Sequence, residues 1–208
     1  MRIRIDLKII IFAIIFFFTK QLKIYAIIMF FCFLHELGHI VVALILKMKI
    51  EKIEILPCGF SSSFIIKSDL DNKNYQIKQI IIALSGPIVS LIIAVLGTYI
   101  KSTYIMRDEI VYSNILIAFF NLLPIYPLDG GRILKGFLDI KFKGEKSYCI
   151  SDNISKATII IITIVSSIAL YYFKNIAIFL VCLFLWKILI CNHFERKKDK
   201  TLAILWRK

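Results

Sequence analysis

The 208 residues carry 27 Lys and Arg against 14 Asp and Glu, a formal charge of +13, with 59% hydrophobic residues and a mean hydropathy of +0.81. That hydropathy excludes an ordinary soluble domain, and the length suits one helical bundle but not a bundle plus a full soluble domain. The basic residues flank apolar runs, so anionic lipid and topology account for the charge, and no direct nucleic-acid partner is expected.

Apolar runs fall at 7–19, 22–46, 79–100, 110–134, 157–173 and 175–192. A helix of about 20 residues crosses the hydrocarbon layer, so the first run is short for a span. Arg2 and Arg4 precede it as in a signal peptide, but Phe16, Phe17 and Phe18 stand where small residues would allow cleavage. It is read as a retained anchor. Residues 50–66 alternate apolar and polar side chains around Pro57 and Gly59, which predicts a membrane-associated β-hairpin or re-entrant loop. Pro124, Pro127, Gly130 and Gly131 interrupt or kink the fourth run. The expected architecture is an all-α polytopic membrane protein of about six transmembrane helices with that hairpin, over residues 1–193, and a basic cytosolic tail at 194–208.

Charge sets the orientation. In a six-span plan, 21 Lys and Arg fall on the side of the N-terminus, the 47–78 and 132–156 loops and the C-terminus, against 5 on the other side. The positive-inside rule then puts both termini in the cytosol, with His39 nearer the cytosolic face than His35.

The chemistry lies in the second run, which contains His35-Glu36-Leu37-Gly38-His39. Residues four apart share one face of a helix, so both imidazoles can reach one metal ion, and Glu36 can act on water held there. Ionisable groups at membrane depth are costly and point to function. Gly38 leaves room for a close neighbour. A catalytic zinc needs a third protein ligand. The remaining histidine, His193, ends the last run beside a charged tail, whereas Asp129 is an acidic residue in an apolar region that a kink can aim inward. An ordinary aspartate-glycine turn is the other reading of Asp129. His35, His39 and Asp129 thus predict one Zn2+ per chain, with Glu36 as general base moving a proton from water to the leaving amine. Asn121 is either an oxyanion donor or a partner for helix backbone. The five cysteines form no CxxC pair and are read as packing residues.

These residues, with Ser85-Gly86-Pro87 and the run Asn121-Leu-Leu-Pro-Ile-Tyr-Pro-Leu-Asp129-Gly-Gly, resemble the site-2 protease family of intramembrane zinc metalloproteases over roughly residues 20–140. The resemblance implies that His35, His39 and Asp129 hold zinc, that Glu36 is catalytic and that Asn121 engages substrate. Leu56-Pro57-Cys58-Gly59 and the run ending in Arg132 look like a sporulation subgroup that releases a membrane-associated pro-sigma factor. That implies a membrane-associated or membrane-tethered protein substrate cut near the cytosolic face, inhibitory membrane proteins as partners, and a bacterial cell membrane or a forespore-surrounding membrane as the location. Two departures are expected to matter. No CBS or PDZ domain is expected, and Ser90 stands where many family members have an asparagine, weakening one polar contact. The 50–66 hairpin is a candidate for pairing with unwound substrate through an edge strand. The alternative function is a membrane metal transporter or sensor using the same His and Asp ligands. Such a protein usually shows repeated halves, and none is visible.

Overall fold

The computed structural model describes residues 2–5, 10, 14, 17–18, 20, 22–56, 59–65, 73–99, 107–142, 145–173, 185–187 and 190. In chain order they form strand β1 (Arg2–Ile5), helix α1 (Leu22–Ile45), strands β2 (Lys49–Leu56) and β3 (Gly59–Ile65), and helices α2 (Lys73–Gly97), α3 (Arg107–Asn121), α4 (Asp129–Lys141) and α5 (Glu145–Phe173). The chain divides into two compact units, Met1–Leu122 and Leu123–Lys208.

In the first unit, α1 is a continuous apolar helix whose end is set by backbone bonds. Lys47 takes a left-handed φ of 56°. The Met48 amide then donates to the Ala43 carbonyl at 2.9 Å and the Lys47 amide to the Leu44 carbonyl at 3.0 Å. This paired closure satisfies carbonyls that the helix terminus would leave open, and Met48 tucks back against Ala43 in the core. The Lys78 ammonium adds a bond to the Leu46 carbonyl at 3.4 Å.

Two apolar clusters bracket the middle of α1. Towards its start, Ile27 and Phe31 pack with Ile110 and Ile117 of α3 and with Ile93 of α2. Towards its end, Ala43 and Met48 pack with Ile82 of α2. The His-Glu-His segment lies between them, so packing on both sides fixes its height along the helix. Across the other faces of α2 run exposed Ile88, Leu91, Ile92, Val95 and Leu96, the pattern of a helix whose outer surface meets lipid.

Strands are ordered β1-β2-β3. β2 and β3 pair antiparallel from Lys49 opposite Ile65 to Leu56 opposite Gly59, with an irregularity between Ile50 and Lys52. β1 pairs parallel to β2, Arg2 opposite Lys52 through Ile5 opposite Ile55. β1 is an addition to the expected hairpin: four alternating residues, Arg-Ile-Arg-Ile, too short to read as a strand beside the long apolar run that follows.

Three helices among the described residues are long and apolar enough to cross a membrane, Leu22–Ile45, Lys73–Gly97 and Glu145–Ile168. The runs at 7–19 and 175–192 and the tail at 194–208 lie largely or wholly outside the described residues, as does His193. The 110–134 run does not make one helix. α3 stops at Asn121 and α4 starts at Asp129, because Pro124 and Pro127 each lack an amide donor and crowd the preceding turn.

In the second unit, the segment between α3 and α4 folds back on the start of α4. The Leu128 amide donates to the Ile125 carbonyl at 2.8 Å, and the Arg132 amide to the Leu128 carbonyl at 2.9 Å. A Cβ on Gly131 would lie 2.4 Å from both the Ile125 carbonyl carbon and the Tyr126 amide nitrogen. Those neighbours are backbone and cannot rotate away. Gly131→Ala is therefore expected to destabilise the protein by about 2 kcal/mol or more, read as a lower Tm in detergent. Gly97→Ala should cost less, since its nearest neighbour is the Ile110 side chain. Equal Tm losses would contradict this account of the turn.

Candidate metal centre

His35, Glu36 and His39 are all buried on α1. α2 crosses them with its small residues. A Cβ on Gly38 would meet Val89 Cγ2 at 2.8 Å and the Ser85 carbonyl at 3.2 Å. A Cβ on Gly86 would meet His39 Nε2 at 2.3 Å and His35 Nε2 at 2.6 Å. Glycine on each helix thus lets the two backbones approach and leaves space for the imidazole tips. Pro87, inside α2, also removes an amide donor beside the site.

The other ring nitrogens are anchored on α2. His39 Nδ1 donates to the Ile82 carbonyl at 2.7 Å. A carbonyl can only accept, so the neutral ring carries its proton on Nδ1 and presents Nε2 as an acceptor. The Ser85 hydroxyl donates to the same Ile82 carbonyl at 2.6 Å. His35 Nδ1 meets the Ser90 hydroxyl at 2.9 Å, which fixes its ring in the same sense when the hydroxyl accepts. The two Nε2 atoms then face each other at 3.3 Å. Two imidazole nitrogens on a tetrahedral zinc stand about 3.3 Å apart, given bonds of ~2.0–2.1 Å. The donor set and its spacing therefore fit zinc.

Asp129 is buried in the first turn of α4, where the helix N-terminus favours a carboxylate. Asp129 is the carboxylate that the sequence pairs with the two imidazoles as an expected zinc ligand. Three protein ligands are the number that leaves a coordination position for water. Asn121 is half-buried at the end of α3, and its Nδ2 donates to the Ile117 carbonyl at 2.9 Å. That bond is the helix-backbone partnership weighed from sequence. The amide has a second hydrogen to offer.

Sequence reasoning treated Ser90 as a weakened polar contact and did not link it to His35. Its hydroxyl is fully buried and serves as the partner of His35 Nδ1. Nor did it link Gly86 or the Ile82 carbonyl to the histidines. The available signal was spacing: Ile82, Gly86 and Ser90 follow at four-residue steps and so share one face of α2.

The profile of peptidase family M50 matches residues 23–112 and 108–166. A zinc metalloprotease of Methanocaldococcus jannaschii is 34% identical over 160 residues, covering 74% of this chain and 44% of that protein. Stage IV sporulation protein FB of Bacillus subtilis is 23% identical over 120 residues, covering 56% of this chain and 40% of that protein. The chain thus spans less than half the length of these two curated relatives. Among solved structures, a site-2 protease from Methanocaldococcus jannaschii superposes with a TM-score of 0.68 at 27% identity, over 88% of this chain and 87% of that one.

Gly86→Ala places a methyl group where the imidazole tips converge. The purified variant is expected to lose bound zinc while keeping its helical circular dichroism, and wild-type zinc content would contradict the packing described. Ser90→Ala should keep zinc but bind it about 10–100-fold more weakly, the usual cost of losing the partner of a metal-ligating imidazole. A chelator competition titration reads that difference.

Proposed function

The chain belongs to peptidase family M50, and on that premise we propose that it is an intramembrane zinc endopeptidase of the site-2 protease type. The observation that carries the proposal is the pair of Nε2 atoms held 3.3 Å apart next to a buried glutamate. The names of its relatives support it: a zinc metalloprotease and a site-2 protease. The transporter or sensor alternative gains no support from them.

His35, His39 and Asp129 would hold the metal. Zinc, when bound, supplies Lewis-acid polarisation of the scissile carbonyl and makes water nucleophilic at neutral pH. The chain's own residues do the rest. Ser90 and the Ile82 carbonyl keep the rings in the tautomer that turns Nε2 towards the metal. Glu36, adjacent to His35 and buried with it, takes a proton from the attacking water on its carboxylate and delivers it to the departing amine. Asn121 keeps one amide hydrogen on Ile117 and offers the other to the developing oxyanion. The apolar clusters on either side of the site lower the local dielectric, which strengthens polar contacts between them.

The proposed substrate is a membrane-associated or membrane-tethered protein cut near the cytosolic face. Charge asymmetry supports cytosolic termini on a six-span plan, and an edge of the β1-β2-β3 sheet offers backbone donors and acceptors to an unwound substrate segment. Likeness to stage IV sporulation protein FB supports a sporulation role; the motif resemblance at residues 56–59 and 121–132 extends the proposal to a pro-sigma factor as substrate, in a bacterial or forespore-surrounding membrane and under the control of inhibitory membrane proteins.

Reconstituted with a candidate proprotein in lipid vesicles, Glu36→Gln is expected to keep zinc and lose at least 10²-fold in cleavage, the lower range for a positioned acid-base group. Cleavage by that variant at the wild-type rate would overturn the mechanism.

A further inference from the structure

α5 carries serines at 147, 151 and 155, one per turn along a single face, and all three are buried. Their hydroxyls do different things. The Ser147 hydroxyl donates to the Asp139 carboxylate, near the C-terminal end of α4. The Ser155 hydroxyl accepts from the Tyr126 amide at 3.3 Å. It also lies 3.2 Å from the Pro124 carbonyl and 2.9 Å from the Ser151 carbonyl, so its single hydrogen is shared between them. Ser151 Oγ, between the two, makes no side-chain hydrogen bond.

The Ser155 bonds fall on the segment that leads into Asp129. Turn closure there uses the amides of Ile125 and Leu128, while the Tyr126 amide finds its acceptor in Ser155. Pro124 and Pro127 bring no amide donors of their own. Against Gly131 the segment has no slack, since backbone atoms of Ile125 and Tyr126 fill the space a Cβ would take. One hydroxyl of α5 therefore holds the segment before Asp129, and another holds the far end of the helix that Asp129 begins.

We propose that Ser155 is a positioning residue for the metal centre: by clamping the Pro124–Tyr126 backbone it sets where the Asp129 carboxylate stands. The proposal rests on the reading of Asp129 as the third zinc ligand. Ser155 touches neither metal nor substrate in this role, and acts through the backbone of the turn. Truncating a buried serine in such a clamp breaks its bond to the Tyr126 amide, so the turn relaxes towards another arrangement. Ser151 is the matched control, because its side chain is equally buried and makes no side-chain hydrogen bond that truncation would break.

The test uses the full chain in detergent, stripped with a chelator and titrated with Co2+, reading affinity and visible ligand-field absorption, with helix content checked by circular dichroism. Ser155→Ala is expected to bind Co2+ about 10-fold more weakly and to shift the absorption bands. Ser151→Ala should match wild type, and Asp129→Asn should exceed Ser155→Ala in both effects. If Ser155→Ala loses its helical signal, Ser155→Cys keeps the volume with a weak hydrogen-bonding group and carries the same expectation. Wild-type affinity and bands for Ser155→Ala, or a change for Ser151→Ala as large as for Ser155→Ala, overturn the positioning role. Wild-type behaviour of Asp129→Asn overturns the ligand reading itself, and the positioning role with it.

Discussion

Two imidazoles whose Nε2 atoms face each other at 3.3 Å repel unless a proton or a cation lies between them. The protein enforces that encounter from three directions. Helical periodicity puts His35 and His39 on one face of α1. Acceptors on α2, the Ile82 carbonyl and the Ser90 hydroxyl, hold the opposite side of each ring. Gly86 leaves a space that any side chain would fill. A buried arrangement of this kind costs stability in the absence of a cation and regains it on binding, which is the sense in which metal and fold are coupled here.

The surrounding packing holds the site at a fixed height along α1. Apolar clusters lie above and below it on α1, and the paired closure at Lys47 and Met48 ends the helix where the second cluster requires it. In the other unit, two prolines end one helical run and a glycine lets the chain double back before α4 begins. The carboxylate offered there stands in the first turn of a helix, where aligned backbone dipoles favour negative charge. Within each unit the orientation of these side chains is set by local bonds.

Much of the site was legible because helix periodicity and ligand chemistry are local properties. The spacing of His35 and His39 dictates a shared face wherever a helix forms, and prolines at 124 and 127 announce a break whatever surrounds them. Gly38 was also readable as a place for close approach, and Val89 and the Ser85 carbonyl are what approach it. The partners of the ring nitrogens were not legible. Ser90 meets His35 across 55 positions of sequence, and nothing near Ser90 reports which helix it will face. Helix ends were also blurred, because apolar runs mark where lipid contact begins and not where backbone bonding begins. Thus α2 starts at Lys73 and α5 at Glu145, each some turns ahead of its apolar stretch. β1 escaped notice for a related reason: pairing with β2 depends on register with a strand some fifty residues away.

Zinc K-edge X-ray absorption on the purified full chain tests the central claim most directly. The account predicts one zinc with two imidazole nitrogens and oxygen donors at about 2.0–2.2 Å, and a spectrum that loses imidazole scattering when either His35 or His39 is replaced. Sulfur scattering at about 2.3 Å, or a shell of oxygens without imidazole, would contradict it.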